Sequence, residues 1–202
     1  MQFFSYLING ISLGSVYALI ALGYTMVYGI AKMLNFAHGD VIMIGSYVVY
    51  FAFGASGLNP VLSIVLSMIV CTILGVVIER LAYRPLREAP SLAVLITAIG
   101  VSYLLQQVAQ LSWSSNPKSF TSVVSGMKPV SLFGGQLTIS AETIVTIVAC
   151  VVIMVVLMWF VNYTPAGHAM LAVSEDRGAA QLMGVNVNGT ISLTFAIGSA
   201  LA

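Results

Sequence analysis

Asparagine, histidine and aspartate stand within six residues in Asn35-Phe36-Ala37-His38-Gly39-Asp40, with apolar sequence on either side. A carboxamide, an imidazole and a carboxylate at this spacing could do two things. At a break between half-helices, Asn35 or Asp40 could cap the following helix, whose free N–H groups and positive dipole end could also receive a substrate carboxylate. His38 could donate to the same group. The plainer alternative is a cytoplasmic turn in which Asp40 only caps a helix and His38 is solvated. No second acid, cysteine or histidine lies at ligand spacing, so no metal site is expected.

A second polar tract, residues 164–187, reads TPAGHAMLAVSEDRGAAQLMGVNV between two apolar runs. Ala169, Ala172, Val173, Ala179, Ala180, Leu182 and Met183, closed by Gly184, make a helix-forming amphipathic pattern with Glu175, Asp176 and Arg177 at its turn. Such a tract is longer and more ordered than a connection between spans requires, and it is built to meet a partner.

The elements that must position these residues are apolar. Of 202 residues 59% are hydrophobic and 6% charged, too little polar surface to cover a soluble globule. A net charge of +1 without a Lys/Arg run excludes nucleic acid as a partner. Apolar runs cover residues 3–30, 41–53, 60–81, 92–111 and 143–163, and another opens at Thr190. About 20 residues cross the hydrocarbon core, so four of the first five runs reach or approach spanning length. The run 41–53 has 13 residues, about 20 Å of helix, and must borrow residues 35–40 to cross or remain a half-helix. Cys71 and Cys150 lie inside apolar runs and read as small hydrophobes. Gly10 and Gly14, extended by Ser15 and Gly23, form a small-residue face suited to helix packing.

Arg80, Arg84 and Arg87 crowd the connection between the third and fourth runs, with Glu79 and Glu88 beside them, and set that connection in the cytoplasm. Counting spans then places residues 113–140 outside, with turns or a short hairpin at Pro117, Pro129 and Gly134-Gly135, and residues 164–187 inside. No G-x-x-x-x-G-K-[ST] tract occurs, so any use of ATP needs a separate ATPase subunit.

Four tracts resemble the branched-chain amino acid ABC transporter permeases: INGISLGSVYAL at 8–19, NFAHGD at 35–40, ERLAYRPLR at 79–87 continuing through LITAIGVSYLLQ at 95–106, and AAQLMGVNV at 179–187. Residues 164–187 also resemble the ATPase-contacting loop of ABC importer permeases. Gly167, Glu175, Asp176, Ala179, Ala180 and Gly184 are its candidate coupling residues, with Asp176-Arg177-Gly178 inserted between acid and alanines. The loop departs from the family in lacking basic residues near His168 and Leu171.

The resemblance implies an all-α, polytopic transmembrane helical bundle with a broken or short second helix and a cytoplasmic amphipathic coupling loop. Residues 1–202 would form a single transmembrane permease domain, truncated at its C-terminal helices. It further implies a second related permease subunit, two cytoplasmic ATPase subunits and an extracytoplasmic substrate-binding protein, in a bacterial plasma (inner) membrane. The chain would bind no cofactor, with ATP used by the partners. The expected function is inward translocation of branched-chain amino acids past Asn35, His38 and Asp40. Urea or short-chain amides, and a proton-coupled secondary transporter using His38 and Asp40, are the alternatives. An intramembrane enzyme lacks a nucleophile.

Overall fold

The structure, a computed structural model, describes residues 2–119, 130–132 and 137–202. Eight α-helices occur among them: α1 (Gln2–Ala31), α2 (His38–Val49), α3 (Pro60–Ile78), α4 (Ser91–Trp113), α5 (Ala141–Tyr163), α6 (Pro165–Glu175), α7 (Arg177–Leu182) and α8 (Val187–Ala200). Strands β1 (Val130–Leu132) and β2 (Leu137–Ile139) pair antiparallel between α4 and α5, with Ser131 opposite Thr138. The expected hairpin is therefore present, whereas Lys128, Pro129 and Gly134-Gly135 lie outside the described residues.

Four helical stretches are long and apolar enough to cross a membrane: Tyr6–Ala31, Pro60–Leu86, Ser91–Trp113 and Ala141–Tyr163. They match the four long runs, and the chain is a multi-pass membrane protein. Their outward faces carry large apolar side chains such as Ile69, Ile73, Val152 and Val156, as lipid contact requires. α2 is short, and a π-helical segment, Tyr50–Ala55, continues it. A second π-helical segment, Glu79–Tyr83, continues α3 into the arginine-bearing connection.

Local chemistry explains where most helices begin. Asn59 caps α3 through Val61 N–H, Ser140 caps α5 through Thr143 N–H, Thr164 caps α6 through Gly167 N–H, and Asn186 caps α8 through Gly189 N–H. Asp176 caps α7 twice, accepting from Gly178 N–H at 2.7 Å and Ala179 N–H at 3.0 Å. α2 and α4 have no side-chain cap; Ala37 and Pro90 stand at those positions.

Lipid offers no hydrophobic drive for helices to associate, so small residues set the crossings. A Cβ on Gly23 of α1 would lie 2.9 Å from the Gly198 carbonyl of α8. Gly75 of α3 leaves room for Ser199, and Gly45 of α2 faces Cys71 and Ser67. Gly10 and Gly14, expected to pack, are exposed, and a Cβ on either would meet nothing within 4 Å; the buried residues described in α1 lie in its C-terminal half, from Gly23 on. The buried core lies there, around Val27, Val41, Tyr83, Met170, Ile191 and Phe195.

The contacts also define two ends of the bundle. Tyr47 of α2 stacks on Trp113 at the end of α4, ring centroids 4.5 Å apart, and Ser67 of α3 donates to the Gly45 carbonyl at 2.9 Å. At the opposite end Arg87 donates to Asn188 and Arg177 donates to the Ala31 carbonyl. The arginine connection and residues 164–187 thus share one end, as the positive-inside reading requires.

A polar break within the bundle and a helical polar tract

α1 ends at Ala31, and the chain turns back along it before α2 begins at His38. The His38 ring packs against Gly23 and Tyr24, about 12 Å back along α1 from its end at the helical rise of 1.5 Å per residue. Gln106, which meets Asp40, lies about 22 Å along α4 from its start by the same measure. The break therefore sits deep in the bundle, and α2 starts as a half-helix inside it. His38 is not solvated, since Asn35, His38 and Asp40 are all buried.

The three side chains turn to three different neighbours. Asn35 Oδ1 accepts from the Tyr83 hydroxyl at 3.0 Å, tying the break to the π segment after α3. Asp40 Oδ1 accepts from Gln106 Nε2 at 3.0 Å, and Gln106 reaches on to Ser102 at 3.2 Å. His38 lies between α1 and α8 beside the Ile20 backbone, and neither ring nitrogen makes a hydrogen bond of good geometry. The expectation that Asn35 or Asp40 caps α2 is corrected, because both carboxamide and carboxylate are spent on long-range bonds. The first N–H groups of α2 are left without a side-chain cap. Gly39 and Phe36 face outward at this point, so the helix start has an open side. Among the described residues no cluster suited to a metal ion occurs.

At the arginine-bearing end the amphipathic tract forms α6 and α7, with Asp176 between them. Gly167 packs so closely on the Phe160 and Val161 carbonyls that any Cβ would collide with backbone. Gly184 has φ +84°, donates to the Gln181 carbonyl at 3.0 Å, and is followed by Val185 N–H donating to the Ala180 carbonyl at 3.0 Å. That pair of bonds is a Schellman closure, which is why glycine stands there. Ala180 turns inward while Ala179, Glu175 and Asp176 are exposed. Leu182 and Met183, 90% and 84% exposed, project beyond them as an apolar knob.

Two residues outside the sequence-derived site connect these parts. Arg177 of α7 donates to Ala31 O, the carbonyl that ends α1 and opens the break. A guanidinium at that position also complements the negative end of the α1 dipole. Glu79, fully buried, pairs with Arg87 and accepts from Ser192 of α8 at 2.6 Å. Its signal in the sequence is an acid directly following Val76-Val77-Ile78, where charge has no place unless partnered.

Compared with known proteins, the chain matches the family described as "Branched-chain amino acid transport system / permease component" over residues 6–202. The chain belongs to this permease family. It is 43% identical over 208 residues to the high-affinity branched-chain amino acid transport system permease protein BraD of Pseudomonas aeruginosa, covering 97% of the chain and 67% of that relative. It is 39% identical over 213 residues to the permease protein LivH of Escherichia coli strain K12, covering 100% of the chain and 68% of that relative. A probable branched-chain amino acid transport permease protein LivH of Methanocaldococcus jannaschii is 29% identical, with 91% and 59% covered. No solved structure matches.

Proposed function

We propose that this permease moves branched-chain amino acids into the cytoplasm as the membrane subunit of an ABC importer. ATP would be hydrolysed by two separate cytoplasmic subunits, a second related permease would complete the path, and an extracytoplasmic binding protein would deliver substrate at the bacterial inner membrane. This chain binds no cofactor in that scheme.

The observation that carries the reading is the contact between Arg177 and Ala31. It ties the coupling loop directly to the residue at which the intramembrane break begins. An ATPase seated on Leu182, Met183, Ala179, Glu175 and Asp176 would move α7 and, through Arg177, the segment between Ala31 and His38. Asn35 and Asp40 hold that segment to α3 and α4, while the unpartnered His38 ring and the Gly39 N–H, whose neighbours His38, Asp40 and Val41 already donate to backbone carbonyls, would be left for a substrate carboxylate. The outward-facing Phe36 beside Gly39 gives an aliphatic side chain an apolar surface.

Uptake by the full-length complex in proteoliposomes tests this. Leucine, isoleucine or valine should accumulate only with binding protein and ATP, and urea should not compete. His38→Ala should lower uptake at least about tenfold, the order of one charge-assisted hydrogen bond, while assembly survives. Uptake driven by a proton gradient without ATP would sink the proposal.

A further inference from the structure

Lys32, Arg87 and Arg177 line one cavity of about 510 Å³ at the cytoplasmic end, and no acidic side chain lines it with them. Among the described residues only Arg87 of the three has a carboxylate partner, Glu79, and Arg87 Nε is buried without an acceptor. The start of α4 at Ser91 and Leu92 lines the cavity too; Ala93 and Val94 N–H close on the Pro90 carbonyl, but Pro90 has no side chain to receive those of Ser91 and Leu92. Burial, and then the nearby Arg87 charge, hold the Arg177 guanidinium below its ordinary pKa. With Glu79 offsetting Arg87, the charges of Lys32 and Arg177 leave positive potential at the rim of the bundle that a bound anion would neutralise. The remaining lining includes Tyr28, Leu92 and Leu95, which are apolar and belong to membrane-crossing helices.

We propose that this cavity binds a phosphate group, carried by an anionic phospholipid headgroup or free in the cytoplasm. The Lys32 ammonium, the unpartnered Arg87 Nε–H, the guanidinium N–H groups of Arg177 not bound to Ala31 O, and the Ser91 and Leu92 N–H groups would supply the donors to an oxyanion. The cavity's level at the ends of α1 and α4 and its apolar wall favour the lipid, whose acyl chain would follow Leu92 and Leu95. A ligand seated here touches Arg177 and the residue after Ala31, between the coupling loop and the break.

Lys32 is the position to test, because its side chain makes no hydrogen bond or ion pair among the described residues and its φ of +51° suits asparagine. The full-length permease complex, taken from phosphatidylcholine nanodiscs with or without phosphatidylglycerol, would be weighed intact by native mass spectrometry. Phosphatidylglycerol should be retained over phosphatidylcholine, about fivefold less in Lys32→Asn, and unchanged in Arg80→Gln, which removes a charge outside the cavity. Added inorganic phosphate that raises the melting temperature of the wild type but not of Lys32→Asn, without lipid selectivity, would assign the site to soluble phosphates. Equal retention of both lipids with no phosphate effect would overturn the proposal. So would a Lys32→Asn variant that keeps its lipid selectivity yet releases the ATPase, because the charge would then serve a protein partner.

Discussion

Removing Glu79 would leave Arg87 with its charge unmatched in a buried site, while Ser192 would lose its acceptor. Glu79→Ala should therefore lower stability by about 3 kcal/mol, read as a large fall in melting temperature in detergent. The double variant Glu79→Ala/Arg87→Met should recover much of that loss, since it removes both charges. Tyr83→Phe should cost about 1–2 kcal/mol by stranding Asn35 Oδ1, and it should leave ATPase association intact. Residue types at the break were legible: an acid, an amide and a histidine between apolar runs announce a polar site. Their partners were not. A capping rule sees only the next helix, whereas Tyr83 and Gln106 are 48 and 66 residues away in sequence.

Element by element, spanning helices follow from run length, and helices α6 and α7 from their alanine pattern and closing glycine. Gly184 at φ +84° disfavours any side chain, so Gly184→Val should displace the end of α7 while the membrane helices stay folded. ATPase subunits should then fail to co-purify. Leu182→Asp should have the same effect with helix structure preserved, because the side chain projects outward. Wild-type co-purification in both variants would show that the knob is not the docking point. The two π segments left no sequence trace, since one extra residue per turn alters neither composition nor hydropathy. The depth of the break was equally hidden; run length says that α2 is short, but only the packing of His38 on Gly23 says where it begins.

For the whole molecule, charge bias alone predicted which end faces the cytoplasm, and the contacts among Arg87, Asn188, Arg177 and Ala31 bring the same groups together. With Cys71 and Cys150 replaced, a cysteine at Lys118 should react with an impermeant thiol reagent in intact cells. One at Met183 should react only after permeabilisation. The reverse pattern would invert the topology and remove the coupling loop from the ATPase. The order in which the chain is made gives the buried acid a further consequence. Ser192 lies 113 residues after Glu79, a gap of roughly 6–23 s of translation at ordinary elongation rates. For that interval a carboxylate and the small-residue faces of α1 and α3 enter the membrane without α8 to cover them. Conditions that slow the ribosome between residues 79 and 192 should therefore lower the yield of the permease more than its activity per molecule, as measured by membrane-inserted protein against uptake.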